Sequence, residues 1–596
     1  MTAAETPHPD ASEPRASDTR RWPARARTFA LDHADRAVAV LGALAFALSY
    51  GFDYGADNQL IYLLKSLCIA NPGILERDWY ASEVTHYHPV FAWLGAGLIA
   101  LNRDGWGVAV AQIALITAGT TYVYELLRAV SPRRIALAAF FCTLPIALVT
   151  RTSSVAVSYV FDSLLQPSAI GSLGLLAALA EFVRGRYLAS GIWLGIAGLF
   201  HANYLVLSLP TFGLMQLLLG FRGLPLRLAK QLGPLLLASI PVLPVMIATA
   251  SSPDAERARD ILFSIRSPHH YSPGSFYKGL APFAGWQMLG LGLGAAVFRG
   301  RHGAGRRLGI ALTSLMVLVW VGSGLSTVVY EPKVVQLFVW RFAPYLDLLC
   351  AALACLVLAR VAAEPAFARR LSPPLLALAL GGLVVIGTFQ TERKNPFWTV
   401  LIFVSVAGLI WAVSELIRLA SRPGPRFSWL ARVAPFWAAH GATLVLVLAV
   451  ANVARNVPEQ IEEVPGRSLL LRDGGAKQDD LYTWMREKTE KDAIFLTPPD
   501  VDTFRFYGQR AIVVDWKSTP MVPSELVEWL RRLSDVSGRP VESKRDLRGY
   551  GELDREQIER LKAKYNLDYA VVRRGAERSL GFDTVFKNHR YAVLEL

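Results

Sequence analysis

From Ala37 to Asn452 the chain alternates apolar blocks with short polar connections, and from Arg455 onward it reads like soluble protein. A bilayer core asks for about 20 apolar residues per helix. Blocks near that length lie at 37–52, 106–127, 135–150, 168–183, 188–207, 209–221, 232–250, 280–298, 307–329, 340–361, 372–389, 396–417 and 434–452. The pattern therefore predicts a multi-pass α-helical membrane protein of about 13 transmembrane helices, with 188–221 open to another division. The tail changes rhythm. It predicts helices over 479–488, 523–533 and 554–565, and strands over 493–497, 569–573 and 591–596, with strand-like runs at 504–507 and 511–515. Leu526, Leu530 and Leu533 share one helix face. Helices alternating with strands imply a small α/β layer.

The connections set the orientation. Arg128–Arg134, Arg184–Arg186, Phe221–Lys230, Phe298–Arg307, Ala362–Arg370 and Arg418–Arg432 each carry several Arg or Lys, as cytoplasmic loops do. The loops 53–105, 151–167, 251–279, 330–339 and 391–396 carry acids, His and aromatics. Residues 88–102 are apolar but short, and Arg103 and Asp104 follow at once. Counted as a span, this segment inverts every later loop, so it is read as a juxtamembrane helix. Three regions result: a disordered cytoplasmic N-terminus (1–30), a transmembrane domain (31–454) whose first outer loop spans 53–105, and an extracytoplasmic α/β domain (455–596). No cleavable signal peptide precedes the first block, which is expected to stay as an anchor in an inner (plasma) membrane.

Composition agrees, at 53% hydrophobic and 18% charged residues. The net charge of +14 does not indicate nucleic-acid binding, because the excess Arg sits in loops between apolar blocks. Cys68, Cys142, Cys350 and Cys355 lack metal or redox spacing.

Candidate chemistry gathers in the first outer loop, where Asp53, Asp57, Asp78, Glu83, His86 and His88 follow closely on the first block. A carboxylate at the membrane–water boundary can act as a general base or hold a cation. A second group is His269, His270 and Tyr271, and one of these His can join a first-loop carboxylate at a metal, with Asp78 and His269 the candidate ligands. A third is Lys333 with Trp340, Arg341 and Phe342. An Arg at membrane depth is costly unless paired, and its planar fork suits phosphate oxygens; the plainer reading is a snorkelling interfacial Arg. His201, which interrupts an apolar block, reads as a buried and satisfied histidine.

Gly55 to Gln59, Asp78 to Tyr80, His86 to Pro89 and Trp340 to Phe342, with the long first loop and the outer tail, resemble the GT-C superfamily of polyprenyl-phosphate-sugar-dependent glycosyltransferases. The likeness is to its aminoarabinose-transferase and protein-mannosyltransferase types. The resemblance implies transfer of a sugar from a lipid-phosphate donor to an acceptor glycan, lipid or protein on the extracytoplasmic side. It implies Asp57, or Asp53, as base, Asp78 as second acid ahead of Glu83, and Arg341 as phosphate ligand, with a divalent metal left open. The Asp78, Trp79, Tyr80 run departs from the family's paired-acid pattern. The tail reads as a supporting or acceptor-recognition domain. A transporter or flippase for a lipid-linked glycan, or a non-catalytic scaffold of the same fold, are the other readings.

Overall fold

The computed structural model describes residues 21–101, 105–150, 153–250, 252–298, 303–389, 471–473 and 480–596. The expected spans 396–417 and 434–452 lie outside these residues, and so does most of the N-terminal segment. Helix α1 already begins at Arg21 and runs to Tyr50. It therefore enters the stretch expected to be disordered: Ala and Arg favour helix, and Pro23 falls in the first turn, where no intrahelical N–H is lost.

After a short strand β1 (Phe52–Tyr54) come α2 (Pro89–Leu101), α3 (Trp106–Val130), α4 (Arg133–Val149), α5 (Pro167–Arg184), α6 (Tyr187–Phe200) and α7 (Ala202–Leu218). The chain continues with α8 (Leu224–Ser239), α9 (Pro273–Phe298), α10 (Ala304–Gly324), α11 (Ala343–Ala363) and α12 (Pro373–Phe389). Among the described residues five helical stretches are long and apolar enough to cross a membrane: Trp106–Val130, Pro167–Arg184, Pro268–Phe298, Ala304–Val329 and Pro332–Ala363. The boundary expected near residue 208 falls instead at His201, whose extended backbone ends α6 and whose Nδ1 accepts from the Asn203 N–H to cap α7. The short apolar helix α2 buries Phe91, Ala92, Gly95, Ala96 and Ile99, while Trp93 and Leu101 stay exposed.

Close packing draws on small residues. A Cβ on Gly285 of α9 would stand 2.8 Å from the Gly382 carbonyl of α12, and one on Gly382 would stand 2.4 Å from the Gly285 carbonyl. Backbones approach this closely only where side chains are absent, a common device for helix association in lipid.

The tail holds a five-stranded sheet. Strands β3 (Ile494–Leu496), β4 (Ala511–Ile512), β5 (Tyr569–Arg573), β6 (Asp583–Lys587) and β7 (Tyr591–Glu595) lie in the order β4-β3-β5-β7-β6. β3 pairs parallel with β4 and β5, whereas β7 is antiparallel to β5 and β6. Helices α13 (Asp480–Lys488), α14 (Pro523–Val536) and α15 (Arg555–Tyr565) accompany it. α14 buries Leu526, Leu530 and Leu533, as its spacing predicts. Residues 504–508 form a π-helical turn rather than a strand-like run. A further strand, β2 (Leu471–Asp473), pairs parallel with β1, which ties the first loop to the segment entering the tail.

Candidate active site

The long first loop, 53–105, is held from both sides. Asp53 lies on β1; its N–H donates to the Ser163 carbonyl at 3.2 Å and its carboxylate accepts from Ser163 Oγ at 2.5 Å. Gly55 then takes φ +65 and Asp57 φ +46. Gly55 has a second reason to be glycine: Tyr507 of the tail donates to its carbonyl at 2.8 Å, and a Cβ there would meet the Tyr507 Oη at 2.2 Å. Asp57 accepts the left-handed conformation that Asp tolerates better than most residues, and strained positions of this kind gather at functional sites. Its carboxylate is 60% exposed and pairs with Lys517 of the tail. Asn58 donates to Gln166 at 3.2 Å, and the Gly55 N–H donates to Gln59 at 2.9 Å, so the turn is braced from within.

Asp162 joins this group, though its sequence context marks it only as one acid in an outer loop. It accepts from Gln166 at 3.1 Å. Burial pushes its carboxyl up to about 6, and the negative charges of Asp57 and Asp53 add to that shift against the pull of the Ser163 amide. A carboxyl placed this way can hold or release a proton near neutrality.

The cations come from other elements. Arg341 lies on the turn Val339–Phe342, with its guanidinium 4.7 Å from the Phe338 ring centroid. Its Nε is buried and has no hydrogen-bond partner among the described residues. Arg266 is better tied, donating to Thr519 Oγ1 at 2.6 Å and to Ser267 Oγ at 3.3 Å. Tyr62 is the meeting point, within electrostatic reach of Arg341, Arg266 and Asp57 at once. Its ring lies 5.3 Å from His88 and 6.5 Å from Tyr87, and His88 in turn lies 4.8 Å from His201. Tyr271 is buried, its ring 5.4 Å from Phe338 and within reach of both arginines. His270 donates from Nδ1 to the Ala156 carbonyl at 2.7 Å, while His269 is exposed.

The remaining sequence candidates lie differently. Asp78 is fully buried and accepts from Arg505 Nε at 2.8 and 3.0 Å, from the Ala81 N–H at 2.9 Å and from the Ile512 N–H at 3.0 Å. Arg505, only 2% exposed, also pairs with Asp515. Asp78 is thus part of a buried ion triad between loop and tail, and its oxygens are spoken for. It does not fit a metal shared with the exposed His269. Among the described residues no three His, Cys, Asp or Glu side chains gather as a metal-holding group. His86 accompanies Asp78, donating to the Ala81 carbonyl at 3.1 Å, and burial lowers its proton affinity. Glu83 and Lys333 are exposed. Sequence reading missed Asp162, Tyr62 and Lys517, which come from three segments that only the fold brings together.

Several contacts hold the tail against the loop. Thr85 donates through N–H and hydroxyl to Glu525 at 2.9 and 2.6 Å, Arg77 donates to the Asp492 carbonyl at 3.0 Å, and Arg532 stacks 4.4 Å from the Trp79 ring centroid.

Comparison with known proteins gives three kinds of result. Residues 476–536 match a family described as a domain of unknown function, DUF6798. No curated protein matches. Among solved structures, ArnT from Cupriavidus metallidurans bound to undecaprenyl phosphate is 15% identical, with 95% of this chain and 98% of that chain covered and a TM-score of 0.42. The same protein in the apo state is 15% identical over the same shares, with a TM-score of 0.45. The Archaeoglobus fulgidus oligosaccharyltransferase in the apo form is 13% identical, covering 90% of this chain and 69% of that one, with a TM-score of 0.45. These structural neighbours, ArnT and the archaeal oligosaccharyltransferase, are both of the GT-C superfamily. At such identities and scores the weight of a functional reading falls on the side chains described above.

Proposed function

We propose that the chain is a membrane glycosyltransferase that moves a sugar from a lipid-phosphate-linked donor to an acceptor at the outer membrane surface. One observation carries the reading: Arg341, with a buried unpartnered Nε, packs over Phe338, which meets Tyr271, while Arg266 of the same segment ties to Thr519 beside Lys517, the partner of Asp57 on its exposed left-handed turn. A guanidinium with an open donor suits a phosphate oxygen, and an exposed carboxylate nearby suits an incoming hydroxyl.

In the reaction, Arg341 and Arg266 hold the donor phosphate, with the Tyr62 and Tyr271 hydroxyls as further donors. Asp57 takes the acceptor's hydroxyl proton as that oxygen bonds to the anomeric carbon. The bond from that carbon to the phosphate oxygen breaks, and its electron pair stays on the phosphate. A single displacement inverts the anomeric centre. Asp53 and Asp162 keep the Asp57 side of the site anionic, and Asp162 can store a proton between turnovers. Positioning and charge neutralisation supply most of the acceleration. We assign Asp78 to docking of the tail rather than to proton transfer, because Arg505 and two amides already occupy its oxygens. The tail, seated beside Asp57 through Lys517 and Tyr507, is the acceptor side of the site; a flippase needs no such domain there.

Lipid extracted from the purified protein should contain a polyprenyl phosphate or its sugar conjugate. Asp57→Asn should lower transfer by about 100-fold or more at normal membrane abundance. Full activity in that variant, with no lipid phosphate retained by the wild type, would sink the reading.

A further inference from the structure

The tail's contribution to the site narrows to one side chain. Residues 511–520 are buried with the single exception of Lys517. The backbone on either side is pinned. Asp515 accepts from the Ser518 N–H at 2.7 Å and from Ser518 Oγ at 2.9 Å, and its carbonyl accepts from Trp529 Nε1 at 2.9 Å. The Trp516 N–H donates to the Pro499 carbonyl at 2.8 Å. Thr519 accepts from Arg266 at 2.6 Å, and Arg266 lies 5.6 Å from the Trp516 ring centroid. A surface lysine on a loose loop would carry little meaning, but this one projects from a turn anchored both to the tail's core and to a membrane-domain arginine. Only its four-carbon stem is free to move.

Where that stem points is informative. The ammonium pairs with Asp57, and it also lies within electrostatic reach of His269, as does Arg266, which donates to Thr519 two residues on. Asp57 is 60% exposed and Lys517 22% exposed, so the pair is solvated and weak. A lysine held this way has a second possible partner besides the carboxylate it now neutralises: an anion held by Arg266, which is tied to the same turn through Thr519.

We propose that Lys517 is a positioning residue that exchanges counter-ions: it masks Asp57 in the empty site and passes to the donor phosphate on loading, which frees Asp57 to act as base. This rests on the transferase reading above and deepens it. The exchange couples donor loading to base activation, so an acceptor that arrives first meets a neutralised carboxylate. It also gives the departing phosphate a third cation.

Binding, rather than turnover, tests the exchange. The full-length protein in lipid nanodiscs is titrated with a polyprenyl phosphate, with the corresponding polyprenol as the arm lacking phosphate. Lys517→Met should weaken phosphate binding by about tenfold or more, the loss expected for a charge-assisted hydrogen bond. Asp57→Asn, which releases the lysine, should tighten it by roughly two- to fivefold. The double variant should bind like Lys517→Met, and Lys517→Arg should stay near wild type. Lys517→Gln replaces the Met variant if that protein fails to fold. Asp57→Asn binding no more tightly than wild type, or Lys517→Met binding equally well, overturns the exchange while leaving the transferase reading intact. A wild type that does not prefer the phosphate over the polyprenol overturns both.

Discussion

Two of the ion pairs that join the first long loop to the tail differ in almost every physical respect. The Asp78–Arg505 pair is 0% and 2% exposed, extends to Asp515 and is completed by backbone amides. The Asp57–Lys517 pair is 60% and 22% exposed and sits on a strained turn. Taking two charges out of water is costly, and a buried pair persists only where geometry and extra hydrogen bonds compensate; removing one partner then leaves the other stranded. A solvated pair gains little and loses little when it opens. The same domain boundary thus carries one permanent joint and one contact that can be exchanged. Burial, not charge, tells them apart.

Breaking the permanent joint should have the largest effect. Asp78→Ala should cost about 3–5 kcal/mol, seen as a lower melting temperature and faster proteolysis of the tail, whereas Asp57→Ala should leave both nearly unchanged. Equal losses from the two variants would erase the distinction. Next in size, Arg341→Met should weaken polyprenyl-phosphate binding by about 10- to 100-fold with folding intact; retained affinity would return Arg341 to a snorkelling role. Asp162→Asn should act through pH. With its carboxyl raised to about 6 by burial and by Asp57 and Asp53, the folded protein binds this proton more tightly than the unfolded chain does. The contribution of Asp162 to stability is therefore full below the ordinary aspartate range and is lost as pH rises through about 6. The rate profile should show an ionisation near that pH that disappears in Asp162→Asn, and an unchanged profile would remove Asp162 from the proton inventory. The smallest effect belongs to Arg77→Ala, at the exposed rim of the same boundary. About 0–1 kcal/mol is expected, and a larger loss by chemical denaturation would mean that the boundary depends on its rim as well as on the Asp78 joint.

How much of this was legible beforehand follows from the range of each signal. Helix α11 and the short helix α2 are written in continuous apolar runs, so local pattern sufficed. The unusual backbone at Asp57 was legible because Gly55 stands beside it. The buried pairing of Asp78 was not legible in its context, because Arg505 arrives from far along the chain. Arg505 itself sits between Phe504 and Phe506, a run that reads as strand, and only the π-helical turn aims its guanidinium inward. Lys517 resembles any charged residue between strand and helix. Its meaning lies in Arg266 and Asp57, neither of which is near it in sequence.

The parallel pairing of β1 with β2 brings the start of the first long loop against the early part of the tail. Asp57 and Lys517 are 460 positions apart. At about 5–20 residues per second of synthesis, roughly 20–90 s separate their emergence. A nascent chain caught midway has its carboxylate on the membrane surface but no wall opposite it. Lys517 can therefore reach Asp57 only after the whole membrane region has been made, and a chain cut short before it lacks this pair.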